Sequence, residues 1–143
     1  MIVDANVLLY AVDQHSQFHK AAGQWLETAL NGPTRVGLPW QSLLAFQRIA
    51  THSRASQNPL TPAEAWSQVE AWLAAPAAWI PVPGTRHRTI LARLITSGEL
   101  RGNLVTDAHL AALALEHGVG VCSFDSDFAR FDTLHWSRPG ASD

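Results

Sequence analysis

The sequence predicts an α/β fold with a mostly parallel sheet that is covered by helices on both faces. Short apolar runs typical of strands, such as Ile2-Val3 and Gly120–Ser123, alternate with longer segments whose apolar residues recur at helical spacing. Strands that alternate with helices form βαβ units, which build parallel sheets. A chain of 143 residues can bury a proper core, so we expect one domain over residues 1–143.

The first fifty residues are predicted to contain two strands and three helices. A turn and helix over Ala5–Tyr10 follow the first strand, and Phe18–Leu30 is helical until Asn31-Gly32-Pro33 ends it. Arg35–Leu38 is predicted to be a short strand. The apolar residues from Leu43 to Ala50 continue as a helix.

The middle of the chain begins with a predicted loop, Ser56–Pro59, and a clear helix start. Thr61-Pro62-Ala63-Glu64 has the capping-box pattern, with proline at the first helical position. We expect the buried stripe of this helix to contain Trp66, Val69, Trp72 and Leu73.

The chain from Trp79 onward is predicted to contain two more helices and the remaining strands. Trp79–Val82 has the pattern of a strand end, and a helix with Ile90 and Leu94 closes at Gly98. Thr106 is predicted to cap a helix that ends at Gly118. Leu134-His135-Trp136 is predicted to be a last edge strand.

The composition excludes several classes of protein. A hydrophobic fraction of 47% with 15% charged residues is typical of a globular domain and not of a disordered chain. No apolar run approaches the length of a membrane span, and no signal peptide is recognisable, so we expect a cytoplasmic protein. The single cysteine, Cys122, excludes an internal disulfide and a cysteine-rich zinc site.

The charged residues are unevenly distributed, although the net charge is only −2. Thr28 to Ala63 contains no acidic residue, and nine of the ten basic residues are arginine, which suits phosphate recognition. Scattered solubilising charge is the alternative explanation.

Four aspartates are expected at the carboxyl edge of the sheet. Asp4 follows the first strand, Asp125 and Asp127 follow the strand at Val121, and Asp107 is predicted to lie in the first turn of its helix. Crowded carboxylates require a shifted pKa or a cation, and an oxygen-only set suits Mg²⁺ or Mn²⁺. Each aspartate alone could be a helix cap or part of a turn, so the argument depends on their convergence.

Three segments resemble the motifs of PIN-domain proteins, in the same order: Met1–Tyr10, Asn103–Ala114 and Ser123–Phe128. With this length, the chain is similar to VapC-type toxins. The resemblance implies a three-layer α/β/α fold and an endoribonuclease dependent on Mg²⁺ or Mn²⁺. It also implies an RNA substrate, a VapB-type antitoxin partner and a homodimer.

The resemblance also assigns roles to residues at the matching positions. It implies that Asp4, Asp107 and Asp125 hold the metal ion and that Asp127 is an additional catalytic acid. The matching polar positions, which would support these carboxylates, are Asn6, Thr106 and Ser123.

One position departs from the family pattern. PIN nucleases usually carry a glutamate in the helix after the second strand, whereas this helix has no acid, and Ala45 or Phe46 occupies the position. Gln41 or Gln47 could supply a neutral oxygen there. The departure keeps open the alternative of a non-catalytic PIN-like binding or regulatory module.

Two further predictions concern the substrate and a competing chemistry. The candidates for holding the RNA backbone are Arg48, Arg54, Arg86 and Arg88, with solvated helix faces as the alternative. Trp25, Trp66 and Trp72 are expected at buried positions.

An aspartate-based phosphotransfer domain would need a lysine near its acids, but Lys20, the only lysine, lies elsewhere in a helical stretch.

Overall fold

The computed structural model describes residues 1–141. Its strands and helices, in chain order, are β1 (Ile2–Val3), α1 (Ala5–Val12), α2 (His19–Leu30), β2 (Val36–Gly37), α3 (Trp40–Ala50), α4 (Pro62–Leu73), β3 (Ala78–Trp79), α5 (His87–Gly98), α6 (Asn103–Glu116), β4 (Val121–Cys122) and β5 (Trp136–Ser137), with a 3₁₀ helix over Ser126–Arg130 between the last two strands. No helix within residues 1–141 is long and apolar enough to cross a membrane. The predicted domain, residues 1–143, includes two residues outside the described part and stays a prediction.

The five strands form one sheet in the order β3-β2-β1-β4-β5, and every neighbouring pair is parallel. Ile2 of β1 lies opposite Gly37 on one side and Val121 on the other, and Val3 lies opposite Cys122. β1 is therefore the central strand, with β2 and β3 on one side of it and β4 and β5 on the other. Ligands of such sheets bind where the strand order reverses, which here is the carboxyl edge between β1 and β4.

Helices pack on both faces of the sheet, which confirms the predicted three-layer α/β/α fold. Alternate residues of each strand point to opposite faces, so Val3 belongs to one buried cluster and Ile2 to the other. The first cluster packs under α1 to α4, and the second packs under α5, α6 and the 3₁₀ helix.

The predicted start of α4 is confirmed. The Thr61 hydroxyl accepts a hydrogen bond from the Glu64 amide at 3.1 Å, and the Glu64 carboxylate accepts one from the Thr61 amide at 2.9 Å. This signal is local, because both partners lie within one turn, and the sequence pattern is sufficient to find it.

Two predictions about helix positions are wrong. Helix α6 begins at Asn103 and not at Thr106. Gly102, with a φ of 59°, directs the chain into the helix about one helical turn before Thr106. Asp107 consequently lies in the second turn of α6. In α4 the buried residues are Ala65, Val69 and Trp72, whereas Trp66 points about 100° away from Ala65 and is exposed.

Candidate metal centre and active site

Asp4 is fixed at the end of β1 by three hydrogen bonds. Asp4 is the N-cap residue of α1, and its Oδ1 accepts from the Ala5 amide at 2.8 Å. Its Oδ2 accepts from the Ser123 hydroxyl at 2.7 Å and from Asn6 Nδ2 at 3.3 Å. The carboxylate thus has a defined orientation at the boundary between β1 and β4.

Asn6 and Ser123 tie the β1 end to the β4 end, which is where the sequence predicted supporting residues. Asn6 Nδ2 donates to the Ser123 hydroxyl at 3.1 Å, and Asn6 Oδ1 accepts from the Phe124 amide at the same distance. Ser123 Oγ also accepts from the Asp125 amide at 2.9 Å. The third predicted supporting residue, Thr106, is exposed and contacts Gln41 Nε2 through its backbone carbonyl at 3.4 Å.

Three aspartates from two elements converge beside this network. Asp107 of α6, Asp125 and Asp127 each offer a carboxylate oxygen, and these oxygens lie within 4.8 Å of one another. Asp125 also caps the 3₁₀ helix through a 2.9 Å bond from the Asp127 amide, so the capping and the clustering interpretations both hold for it. Asp107 caps nothing, because it lies inside α6.

The charges of this cluster affect one another. Burial, reinforced by the charges of Asp125, Asp4 and Asp127, raises the pKa of Asp107 to about 6, with Arg130 acting in the opposite direction. Burial also raises the pKa of Asp4, and the charge of Asp125 adds to this effect. A nearby cation would relieve both effects.

The donor set fits a hard divalent ion. All the converging side chains present carboxylate oxygens, which Mg²⁺ and Mn²⁺ prefer. The buried Oε1 atoms of Gln41 and Gln47 on α3 have no hydrogen-bond partner within the described chain, and both residues line the same cleft as Asp4 and Asp107. These two amide oxygens are therefore buried acceptors on cleft residues whose hydrogen-bonding capacity the described chain leaves unused.

Of the two residues expected at the position of the absent glutamate, only Ala45 faces the cleft. Ala45 lines the cleft, whose volume is about 650 Å³, together with Asp4 and Asp107. Phe46 is fully buried and packs edge-on against Trp72. A side chain at position 45 thus faces the cleft that Asp4 and Asp107 also line, whereas one at position 46 enters the core.

The four predicted RNA-binding arginines lie in different places. Arg48 is exposed and lines the cleft. Arg86 donates to the backbone carbonyl of Glu116 at 2.9 Å, about 13 Å along the α6 axis from Asp107. Arg54 and Arg88 are exposed, in the loop after α3 and in the first turn of α5.

Sequence reasoning missed Arg130, whose charge acts directly on Asp107. Arg130 lies three residues after Asp127 in the same 3₁₀ helix, and residues at this spacing share a face. That spacing is the signal that could have identified it.

Comparison with protein families gives a match to the PIN domain over residues 1–134. The chain belongs to the PIN-domain family. Among its relatives is Ribonuclease VapC37 of Mycobacterium tuberculosis, 51% identical over 140 residues that cover 98% of this chain and 97% of the relative. Ribonuclease VapC33 of the same organism is 39% identical over 139 residues, 97% of each chain. These matches identify this PIN-domain protein as a VapC-type toxin and ribonuclease, and they do not favour the non-catalytic alternative.

Solved structures independently support the fold. VapBC2 of Rickettsia felis, bound to a DNA fragment from its promoter, matches with a TM-score of 0.66 over 96% of both chains at 16% identity. The sarcin–ricin loop-cleaving toxin VapC20 of M. tuberculosis matches with the same TM-score and identity, over 92% of this chain and 94% of that one. At this identity the likeness shows the fold alone.

Proposed function

We propose that this PIN-domain ribonuclease is an endoribonuclease that requires Mg²⁺ or Mn²⁺ and uses the cleft beside Asp107. The convergence of Asp107, Asp125 and Asp127 within 4.8 Å is the observation that carries this proposal. Asp107 gives this proposal its strongest support. It is an ionisable residue inside a helix, its pKa is raised to about 6, and no capping role accounts for its position.

In this proposal each acidic residue has its own task. Asp107 and Asp125 hold the ion together with Asp4, whose orientation Asn6 and Ser123 fix. The exposed Asp127, at the rim of the cluster, orients the attacking water.

A bound ion would lower the pKa of that water and polarise the scissile phosphate. The water oxygen forms a bond to phosphorus while the bond to the 3′-oxygen breaks. The products are therefore a 5′-phosphate and a 3′-hydroxyl, and the ribose 2′-hydroxyl does not take part. Arg48 in the wall of the cleft neutralises the backbone phosphate.

Cleavage of a fluorescent single-stranded RNA tests the proposal. We expect cleavage by the wild-type protein in Mg²⁺ or Mn²⁺, its loss in EDTA, and a loss of at least about a hundredfold in Asp4→Ala and Asp107→Asn. A substrate with a 2′-deoxyribose at the scissile position should still be cleaved. Equal cleavage by wild type and Asp4→Ala would point to a contaminating nuclease or to a different site, and would refute the assignment.

We further propose that the chain acts as a homodimer in the cytoplasm and is neutralised by a VapB-type antitoxin. The family membership supports this, as does the fold similarity to a chain of a VapBC complex. Co-expression with the product of a neighbouring short reading frame should give a stable complex and relieve growth arrest. Arrest that persists in the Asp107→Asn variant would show that toxicity does not depend on cleavage.

A further inference from the structure

We propose that Trp40 is a stacking platform for a base of single-stranded RNA and that Arg48 holds a neighbouring phosphate. This inference rests on the proposed function, because it needs RNA in the cleft. It assigns the exposed end of α3 to substrate recognition.

Trp40 and Trp66 form an aromatic pair on the surface. They are 41% and 40% exposed, and their rings lie parallel, 5° apart, with centroids separated by 6.3 Å. Each side chain therefore keeps a substantial part of its surface open to solvent. Neither tryptophan of the pair belongs to the buried core. Trp72 of the same α4 helix does, since it is buried against Phe46.

Helix α3 carries the platform along the wall of the cleft. Trp40, Leu44 and Arg48 are spaced by four residues, so they form one stripe on the helix, which we call the α3 stripe. Leu44 is 55% exposed, and it lines the cleft together with Arg48, Asp4 and Asp107. The stripe begins where Gln41, the residue after Trp40, donates to the Thr106 carbonyl beside Asp107.

The charge of this surface suits a polyanion. No acidic residue occurs from Thr28 to Ala63, a range that includes all of α3. The acids that flank this range in sequence are Glu27 on α2 and Glu64, whose carboxylate is engaged in the capping box with Thr61. An aromatic platform and an arginine on a helix that carries no acid is a combination suited to single-stranded nucleic acid, and a bound cation would offset the charge of Asp4 and Asp107 in the same cleft.

Stacking requires an unpaired base, because a base inside a duplex offers no free face. The α3 stripe therefore favours single-stranded segments or loops whose bases can turn outward. Stacking tolerates different bases, so the platform would hold the strand in place without specifying its sequence.

Binding of a labelled single-stranded RNA in Mg²⁺ tests this inference, with every protein carrying Asp107→Asn to prevent cleavage. Trp40→Leu keeps an apolar side chain but removes the ring, and we expect affinity to fall about 5- to 100-fold. Trp40→Phe keeps a ring face and should stay within about threefold of the parent. Trp25→Leu, a half-buried tryptophan on α2 outside the cleft, is the matched control and should bind like the parent.

The salt dependence separates the contribution of Arg48 from that of Trp40. Arg48→Gln should reduce the slope of log K against log salt by about 0.7, as expected for one phosphate contact with a single strand, whereas Trp40→Leu should leave the slope unchanged.

Parent-like binding by Trp40→Leu would overturn the inference and leave the proposed nuclease intact. Equal losses in Trp40→Leu and Trp40→Phe would do the same, since stacking distinguishes them. If light scattering shows that Trp40→Leu changes the molecular mass while RNA binding persists, the face is an interface between copies and the inference is wrong. Absence of RNA binding by the parent, together with absence of cleavage by the wild type, would instead refute the proposed function.

Discussion

Asp107 is the residue whose protonation state governs the candidate metal centre. In the unfolded chain its pKa is near 3.8, whereas in the metal-free folded protein it is about 6. The folded state therefore binds this proton more tightly, and ionised Asp107 destabilises the fold. Below about pH 3 the carboxyl is protonated in both states and has no effect on stability. The destabilisation of the fold by ionised Asp107 grows as the pH rises from there and reaches its full value above about pH 6.

Asp107→Asn should therefore stabilise the metal-free protein at neutral pH. We expect the free energy of unfolding to rise by about 1 kcal/mol at about pH 7.5, a value discounted because the carboxylate is partly exposed, and to stay unchanged at about pH 3. Urea unfolding in EDTA measures both. Asp132→Asn, an exposed acid outside the cluster, is the control. A destabilised Asp107→Asn protein at neutral pH would show that the carboxylate is not under electrostatic strain.

Ala45 is the position where a single substitution can supply the absent acid. It lines the cleft with Asp4 and Asp107, so a glutamate there would add a carboxylate to the cluster. We expect Ala45→Glu to tighten Mn²⁺ binding by at least about tenfold relative to Ala45→Gln, which has nearly the same size and no charge. Calorimetric titration measures this difference. Equal affinities would place position 45 too far from the ion.

At the scale of strands and helices, replacement of Gly37 and of Gly23 by alanine is expected to have opposite effects on stability. A Cβ at Gly37 in β2 would lie 2.9 Å from Ile2 Cγ1 and 3.4 Å from Ile2 Cα, so the sheet would have to shift. A Cβ at Gly23 in α2 would meet nothing closer than 4.0 Å.

We expect Gly37→Ala to lower the free energy of unfolding by about 1–3 kcal/mol through overpacking. Gly23→Ala should raise it by about 0.5–1 kcal/mol, because alanine favours the helix. Thermal and urea unfolding of both variants measure the changes. A neutral Gly37→Ala would contradict the close approach of β1 and β2.

The sequence was sufficient for features whose cause is local. The capping box at Thr61 and the strand at Ile2-Val3 depend on residues a few positions apart, and both were predicted. The start of α6 depended on the positive φ of Gly102, which the sequence permits but does not require, and Trp66 lies beside Trp40 of another helix and not in the core. Neither outcome follows from the pattern of neighbouring residues alone. The same limit applies to Ala45 and Phe46, because only the packing of α3 decides which one faces the carboxylates.

At the scale of the whole molecule, the candidate centre exists only when the chain is folded. The Asp4–Ser123 hydrogen bond joins residues 119 positions apart, and it forms because β1 and β4 are neighbours in the sheet. Helix α6, which leads into β4, brings Asp107 to the same edge. An ion that binds these carboxylates together therefore binds the folded state and not the unfolded one.

Ion binding should consequently stabilise the whole fold. At a concentration a hundred times the dissociation constant, the stabilisation is about 2.7 kcal/mol, which corresponds to a rise in Tm of about 8 °C for a chain of this size. We expect this rise in Mn²⁺ at about pH 7.5 and about half of it at about pH 5, where protonation of Asp107 weakens ion binding about tenfold. Differential scanning calorimetry measures it, and Asp107→Asn, already stable without the ion, should show little further gain. The same Mn²⁺-dependent rise in that variant would mean that the ion binds elsewhere on the protein.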